Sequence, residues 1–419
     1  MSKSIKQIYA SIELGENDLK LLVAEYFNSR FNVLKVERAT TLAISDFKVV
    51  DRKLLADDIR QLANNASTSL GAPIEKVILV LPAYNFKRVP LKSKVLPESG
   101  YVTKKDIARA ISNSLNTQLD YDVLSVNAIA TKYEANGFSS RRIPEKEACD
   151  ELTVEIDLLC ADKNMTIDYV SCVESAGLKV LDITLNMYAI AKEASLIEES
   201  LKQNIICLNL DRTCTYLSLL NNGKLVTSEI IFDGINSIAS DVCRRYEISK
   251  EDVIKLIKYD VDYDGKYLND VVYAYNNSNN TNVITQNELN DACEQAIDNL
   301  VDKLVTMCRP ILEKGAQVFV TGEGQQIKSL INKLEYVSGN DVKSYYPDTI
   351  GVRDPSLSAI YGSLFVYRDK ALLNNLNVNC IDLLQYESLI DQKELDSEGE
   401  TITTKIKNLF KQYVEREEK

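Results

Sequence analysis

The sequence predicts an α/β protein built from two similar halves around a cleft, and three observations carry that expectation. A strand-turn-strand-strand unit opens at Ile8, and the same order returns at Ile205. After the second unit, Val318-Phe319-Val320-Thr321-Gly322-Glu323-Gly324-Gln325-Gln326-Ile327 reads as a strand, a tight glycine turn and the start of a helix. At 419 residues the chain is too long for one ordinary core, and its 45% hydrophobic and 26% charged residues are those of a globular protein.

The elements follow in order. Residues 8–14 form a strand, the chain turns at Gly15, and residues 19–26 return to pair with 31–37 across the polar turn 28–30. A helix over 53–70 is apolar at Leu54, Leu55, Ile59, Leu62 and Ala66 and ends at Gly71. The continuous apolar run 77–81, stopped by Pro82, is a buried strand. Thr103 caps a helix whose apolar face carries Ile107, Ala110, Ile111 and Leu115. The second half repeats the pattern: strand 205–210, polar turn 211–213, strand 216–220, an Asn222-Gly223 hairpin turn and strand 225–232. The stretch Asn276-Asn277-Ser278-Asn279-Asn280 reads as a loop. A helix over 288–312 carries Ala292, Ala296, Leu300, Leu304 and Met307 at core spacing, and Ile327, Leu330, Ile331 and Leu334 mark another. Taken alone, the glycine turn between 321 and 324 reads first as an ordinary connection and second, through free N–H groups at the helix start, as a floor for phosphate or ribose oxygens.

Composition excludes whole classes. Sixty-one acidic against 49 basic residues give a net charge of −12, which speaks against a general nucleic-acid binder. No histidine occurs anywhere, so Ser-His-Asp hydrolysis, Cys-His proteolysis, histidine phosphotransfer and histidine-bearing zinc sites are excluded. The nine cysteines are scattered with no CxxC spacing, and no apolar signal segment is present, so they are expected as reduced, mostly buried thiols in the cytosol. No run of 18 apolar residues spans a membrane.

The C-terminus differs from the rest. Ile402, Ile406, Leu409, Phe410, Tyr413 and Val414 recur at steps of three and four, with Lys405, Lys407 and Lys411 beside them and no acid between 401 and 414. An acidic linker precedes this stripe, carrying Glu387, Asp391, Glu394, Asp396, Glu398 and Glu400. A basic amphipathic helix on such a tether suits an anionic membrane surface, while docking on the protein itself or on a partner is the other reading.

These segments together resemble the FtsA family, the bacterial cell-division branch of the actin-like ATPases. Ser11-Ile12-Glu13-Leu14-Gly15, with Lys20 after it, resembles the first phosphate loop, and the stretch from Leu208-Asn209-Leu210 to Thr215 the second. Gly234-Ile235-Asn236-Ser237-Ile238-Ala239-Ser240-Asp241 resembles the glycine-led segment that follows, and Thr321-Gly322-Glu323-Gly324 the adenosine motif. Glu174-Ser175-Ala176-Gly177-Leu178-Lys179-Val180 is similar to the link back into the first subdomain, and Asp354-Pro355-Ser356-Leu357-Ser358-Ala359-Ile360-Tyr361-Gly362 to the closing helix.

The resemblance implies an actin-like α/β fold, with duplicated ribonuclease H-like subdomains around a nucleotide cleft and the FtsA-type inserted subdomain. It divides the chain into subdomain 1A (1–82 and 166–198), inserted subdomain 1C (83–165), subdomain 2A (199–247 and 318–384) and subdomain 2B (248–317). The linker 385–400 and the membrane-targeting helix 401–419 complete it. ATP is expected at Gly15, Lys20, Asn209, Thr213, Thr215, Gly234, Gly322, Glu323 and Gly324, with Mg²⁺ held through water by Glu13 and Asn209. The membrane is expected at Ile402, Lys405, Ile406, Lys407, Leu409, Phe410, Lys411 and Tyr413. The implied partners are the FtsZ C-terminal peptide on 248–317, an anionic membrane and further copies of the chain in an actin-like filament. The implied place is the inner face of the cytoplasmic membrane.

On residue type alone, Glu13 and Lys20 also read as surface charge, and Thr213 and Thr215 as β-formers. The chain departs from the family where chemistry is expected. Glu16 follows Gly15 and would set a like charge against a phosphate, Asn209 stands where an acid is common, and Asp211-Arg212-Thr213 replace glycines. From the 248–317 region, only Glu251 or Asp252 and Lys255 match the acid and lysine that approach the nucleotide. Hydrolysis is therefore expected to be slow or absent, at most a weak ATPase, and no residue takes a catalytic role. An actin-fold phosphotransferase would need an acid at Asn209 and glycine-rich loops. A pilus-assembly relative would share the fold but bind another membrane partner.

Overall fold

The computed structural model describes residues 6–263, 269–277 and 280–388. The membrane-helix residues from Ile402 to Tyr413 and the linker acids from Asp391 onward lie outside the described residues.

Two five-stranded sheets share one strand order. In the first, Arg30–Thr40, Asp18–Phe27, Gln7–Leu14, Lys76–Leu81 and Lys179–Leu185 lie side by side. In the second, Lys224–Ile231, Thr215–Asn221, Ile205–Leu210, Gln317–Thr321 and Val342–Ser344 repeat that arrangement. Each begins as an antiparallel meander and continues as parallel strands. The middle strands are buried on both faces. In Ile205–Leu210 the side chains alternate, with Ile205 and Cys207 joining the core of the first half and Ile206, Leu208 and Leu210 the core under the second-half helices.

Helices cover the sheets. Arg52–Leu70 starts at Asp51, whose side chain accepts the Leu54 N–H, and stops at Gly71 in the left-handed conformation. On the second half, Ile235–Tyr246, Lys250–Asp260, Gln286–Leu312 and Lys328–Ser338 pack around one core. Met307, expected in that core, is exposed, because the apolar face of Gln286–Leu312 runs through Cys293, Ile297, Val301, Val305 and Cys308. Of the stretch expected as a loop, Asn276, Asn277 and Asn280 are instead in strands, Val271–Asn277 pairing antiparallel with Asn280–Thr285.

A separate antiparallel sheet of Lys87–Val95, Leu152–Asp162, Val123–Ala135 and Phe138–Ser140 projects from the first half with its own core. Helix Lys104–Ser114 packs on it and begins in a capping box between Thr103 and Asp106. Ile107 and Ala110 face that core, but Leu115 lies past the helix end and is exposed.

Two crossing helices join the halves. Asn186–Glu193 leads out of the first sheet, and Ser358–Leu373, which follows the second, returns to pack on it and on Gln7–Leu14. Ser11 Oγ meets Ser363 Oγ at 2.6 Å. Gly362 allows the crossing, since a Cβ there would run into the carbonyl oxygen of Ala189. The chain then closes on its own beginning, with the Cys380 N–H donating to the Ile8 carbonyl at 2.8 Å. All nine cysteines are free, and only Cys243 among them is not buried. Among the described residues no helix is long and apolar enough to cross a membrane.

Candidate functional site in the cleft between the halves

The sheet turns of both halves meet in the cleft. In the first, the Gly15 N–H donates to the Asp18 carbonyl at 2.8 Å, so the turn closes on itself. The antiparallel register sets Glu13 opposite Lys20. Lys20 pairs with Glu13 at 3.4 Å and with Asp18 at 3.2 Å, and its side chain is only 3% exposed. Burial works against the Lys20 charge, but Glu13, Asp18 and the nearby Asp211 outweigh it and push its pKa up. Burial raises the Glu13 carboxyl despite Lys20, and Asp211 is raised likewise. Glu16 does not point a free charge at this turn. Its carboxylate accepts the N–H groups of Asp46 at 2.5 Å and Phe47 at 2.9 Å.

The second turn is built around Arg212. Its Nε and Nη2 donate to the two carboxylate oxygens of Glu323 at 2.6 and 3.0 Å, and its Nη1 to Glu251 at 2.7 Å. Lys258 pairs with Glu323 from the other side. Burial alone would raise the Glu323 carboxyl, but Arg212 and Lys258 hold it below its usual range. This network links the turn after Ile205–Leu210, the turn after Gln317–Thr321 and helix Lys250–Asp260.

The glycines of the cleft serve this close packing. Gly322 has φ 84°, and a Cβ on it would come within 2.5 Å of the Leu210 carbonyl. A Cβ on Gly324 would lie 2.7 Å from the Leu210 side chain, and one on Gly234 2.7 Å from the Arg212 carbonyl. The N–H groups of Ile235 and Asn236, at the start of helix Ile235–Tyr246, donate to the carbonyls of Asp211 and Arg212 at 3.1 and 2.8 Å. In the 321–324 turn, which continues as a 3₁₀ turn over Glu323–Gln326 before helix Lys328–Ser338, Gln325 and Ile327 donate back to Gly322 and Gly324. These four N–H groups are satisfied within the protein.

An aromatic cluster fills the space beside them. Phe47 is fully buried and left-handed at φ 60°. Its ring lies 5.3 Å from Tyr84 of the first half and 6.2 and 5.9 Å from Tyr216 and Phe232 of the second.

Known proteins were compared with this sequence and architecture. No family profile matches the chain. Curated relatives do: cell division protein FtsA of Bacillus subtilis (strain 168) is 22% identical over 359 residues, covering 83% of this chain and 81% of that protein. FtsA of Enterococcus hirae is 21% identical, with 96% and 98% covered. Among solved structures, the PilM-PilN type IV pilus biogenesis complex superposes with a TM-score of 0.57 at 13% identity, covering 85% of this chain and 97% of that one. MreB5 of Spiroplasma citri bound to ADP gives 0.51 at 13% identity, with 88% and 99% covered. The chain is FtsA-like in sequence and actin-like in fold.

The cleft brings together most of the residues singled out by sequence: Gly15, Gly234, Gly322, Glu323 and Gly324 lie on its turns, and Glu13, Lys20 and Asn209 on the strands beside them. Thr215 is fully buried and donates its hydroxyl to the Asp233 carbonyl at 2.8 Å, while Thr213 is half-buried on the second turn. Asn209 packs against Gly322. Among the described residues no three acidic or thiol side chains converge on a point that could hold a metal. In the cleft as folded, Glu13 is paired to Lys20 and Glu323 to Arg212 and Lys258.

Sequence reasoning missed Lys258, Phe47 and Tyr216. Lys255, expected to approach the cleft, is exposed and pairs with Asp252 of its own helix at 3.7 Å. The lost signal was helical phase, for Lys258 follows Glu251 by two turns on one face.

Proposed function

We propose that this chain is an actin-fold cell-division scaffold that tethers FtsZ to the inner face of the cytoplasmic membrane and self-assembles there. FtsZ binds through its C-terminal peptide on the 248–317 region, and the membrane is engaged by the amphipathic stretch 401–419. The observation that carries this reading is the end-to-end similarity to FtsA on a duplicated actin-like frame. Immobilised FtsZ tail peptide should retain the full chain, and no retention at micromolar protein would sink the partner. Deleting 401–419 should abolish pelleting with anionic vesicles, and undiminished pelleting refutes the anchor.

Adenine nucleotide with Mg²⁺ belongs to this proposal in a restricted form. It binds weakly because Arg212 must leave Glu323 to admit it, and turnover is slow or absent because backbone donors and one carboxylate are missing. The Arg212–Glu323–Lys258 network supports this restriction. Glu323→Gln, which frees Arg212 and removes the opposing carboxylate, should tighten ATP binding about fivefold, a difference on the order of 1 kcal/mol. If calorimetry detects no ATP or ADP binding at millimolar concentration to either form, the nucleotide claim fails.

A further inference from the structure

Away from the cleft, the projecting sheet and the second half enclose a recess of about 440 Å³. Arg88, Lys132 and Arg141 line it from the sheet side, with Glu155 among them. Lys224, Asn221, Asn222 and Val226 line it from the second half. Four cations thus share the recess with one carboxylate, in a chain whose net charge is −12.

The ion pairs do not neutralise the set. Glu155 is held by Lys92 at 3.3 Å and Lys224 at 3.5 Å, and Arg88 leans on the buried Asp157 at 3.6 Å. Lys132 and Arg141 have no carboxylate within ion-pair distance among the described residues. Burial opposes ionisation of Glu155, yet Lys92, Lys224 and Lys132 outweigh it and hold its carboxyl low, as a positive local potential demands. Arg141 is given room by the facing turn: Gly223 has φ +71°, and a Cβ there would sit 2.5 Å from Arg141 Nη1. Uncompensated cations in a concave site repel one another, so an arrangement that gathers them favours an anion.

We propose that this recess binds a compact small molecule carrying two or more phosphoryl groups, bridged between the projecting sheet and the second half. The volume falls in the range of small-molecule sites. Guanidinium forks match phosphate oxygens in pairs, and with Arg88 on Asp157 and Lys224 on Glu155, Lys132 and Arg141 remain as the cations without a carboxylate partner among the described residues. Because the walls belong to two units, the occupant stabilises the one relative position in which both reach it.

Titration of the full chain with inorganic tripolyphosphate in about 0.15 M salt, where exposed charges are screened beyond roughly 8 Å, tests this. The expected result is saturable one-to-one binding that also raises the melting midpoint. Lys132→Ala with Arg141→Ala should weaken it at least about tenfold, or 1.4 kcal/mol, without lowering the unliganded melting midpoint. Arg141→Lys, which keeps the charge but not the fork, should fall between. Lys255→Ala, an exposed lysine outside both the recess and the Arg212 network, should bind as tightly as the parent chain. No saturable binding at millimolar probe, binding that survives the double substitution, or binding lost in Lys255→Ala would each overturn the assignment.

Discussion

Glu193 keeps a proton that an exposed glutamate would have shed. Burial pushes its carboxyl to about 7, against the stabilising hydrogen bonds from the Tyr345 hydroxyl at 2.7 and 2.8 Å. Between its ordinary value of 4.5 and that of about 7, the folded chain binds a proton that the unfolded chain has lost, so stability falls as pH rises. The loss is on the order of 3 kcal/mol. Glu193→Gln should flatten that slope in denaturant unfolding from pH 5 to 7.5, and an unchanged slope would place it elsewhere. Glu323 has the opposite sign: its carboxyl is held low, so its contribution is present at neutral pH and is lost as pH falls through its folded value. At this scale the sequence was only partly legible. Arg212 was visible as a departure from glycine, but its partner Glu323 stands far along the chain. The turn of Glu16 onto Asp46 and Phe47 depends on where a second loop arrives, which local residue type does not encode.

Elements were legible wherever burial imposes a period. The strands at 8–14 and 205–210 and the helix ending at Gly71 follow from alternation, a continuous apolar run and a left-handed stop. The errors came at the margins. Leu115 and Met307 keep the right spacing but lie at a helix end or off the packed face. Asn276, Asn277 and Asn280 have weak strand preference, and cross-strand pairing overrides it. The crossing of Asn186–Glu193 with Ser358–Leu373 was invisible as a contact, since one glycine carries no periodic signal. Gly362→Ala should force the helices apart and lower stability by about 1–3 kcal/mol, the usual range for overpacking, and a calorimetric melt reads it directly.

For the molecule as a whole, the two halves are held by more than their linking helices. Phe47 reaches from the first half into aromatic side chains of both, and the core of the first half takes in Ile205, Cys214, Tyr216 and Phe319 of the second. Phe47→Ala should cost about 3–5 kcal/mol and speed proteolysis at the junction between halves; a loss below 1 kcal/mol would show that the ring is not what holds them. The duplicated order of the sheets was legible because both halves spell the same strand sequence, whereas the contact between them was not, because it rests on single aromatic side chains. The glycine at the helix crossing has one more consequence, a mechanical one. With backbone against backbone and no side chain to compress, the crossing has no slack left to take up: the two helices cannot be pressed closer.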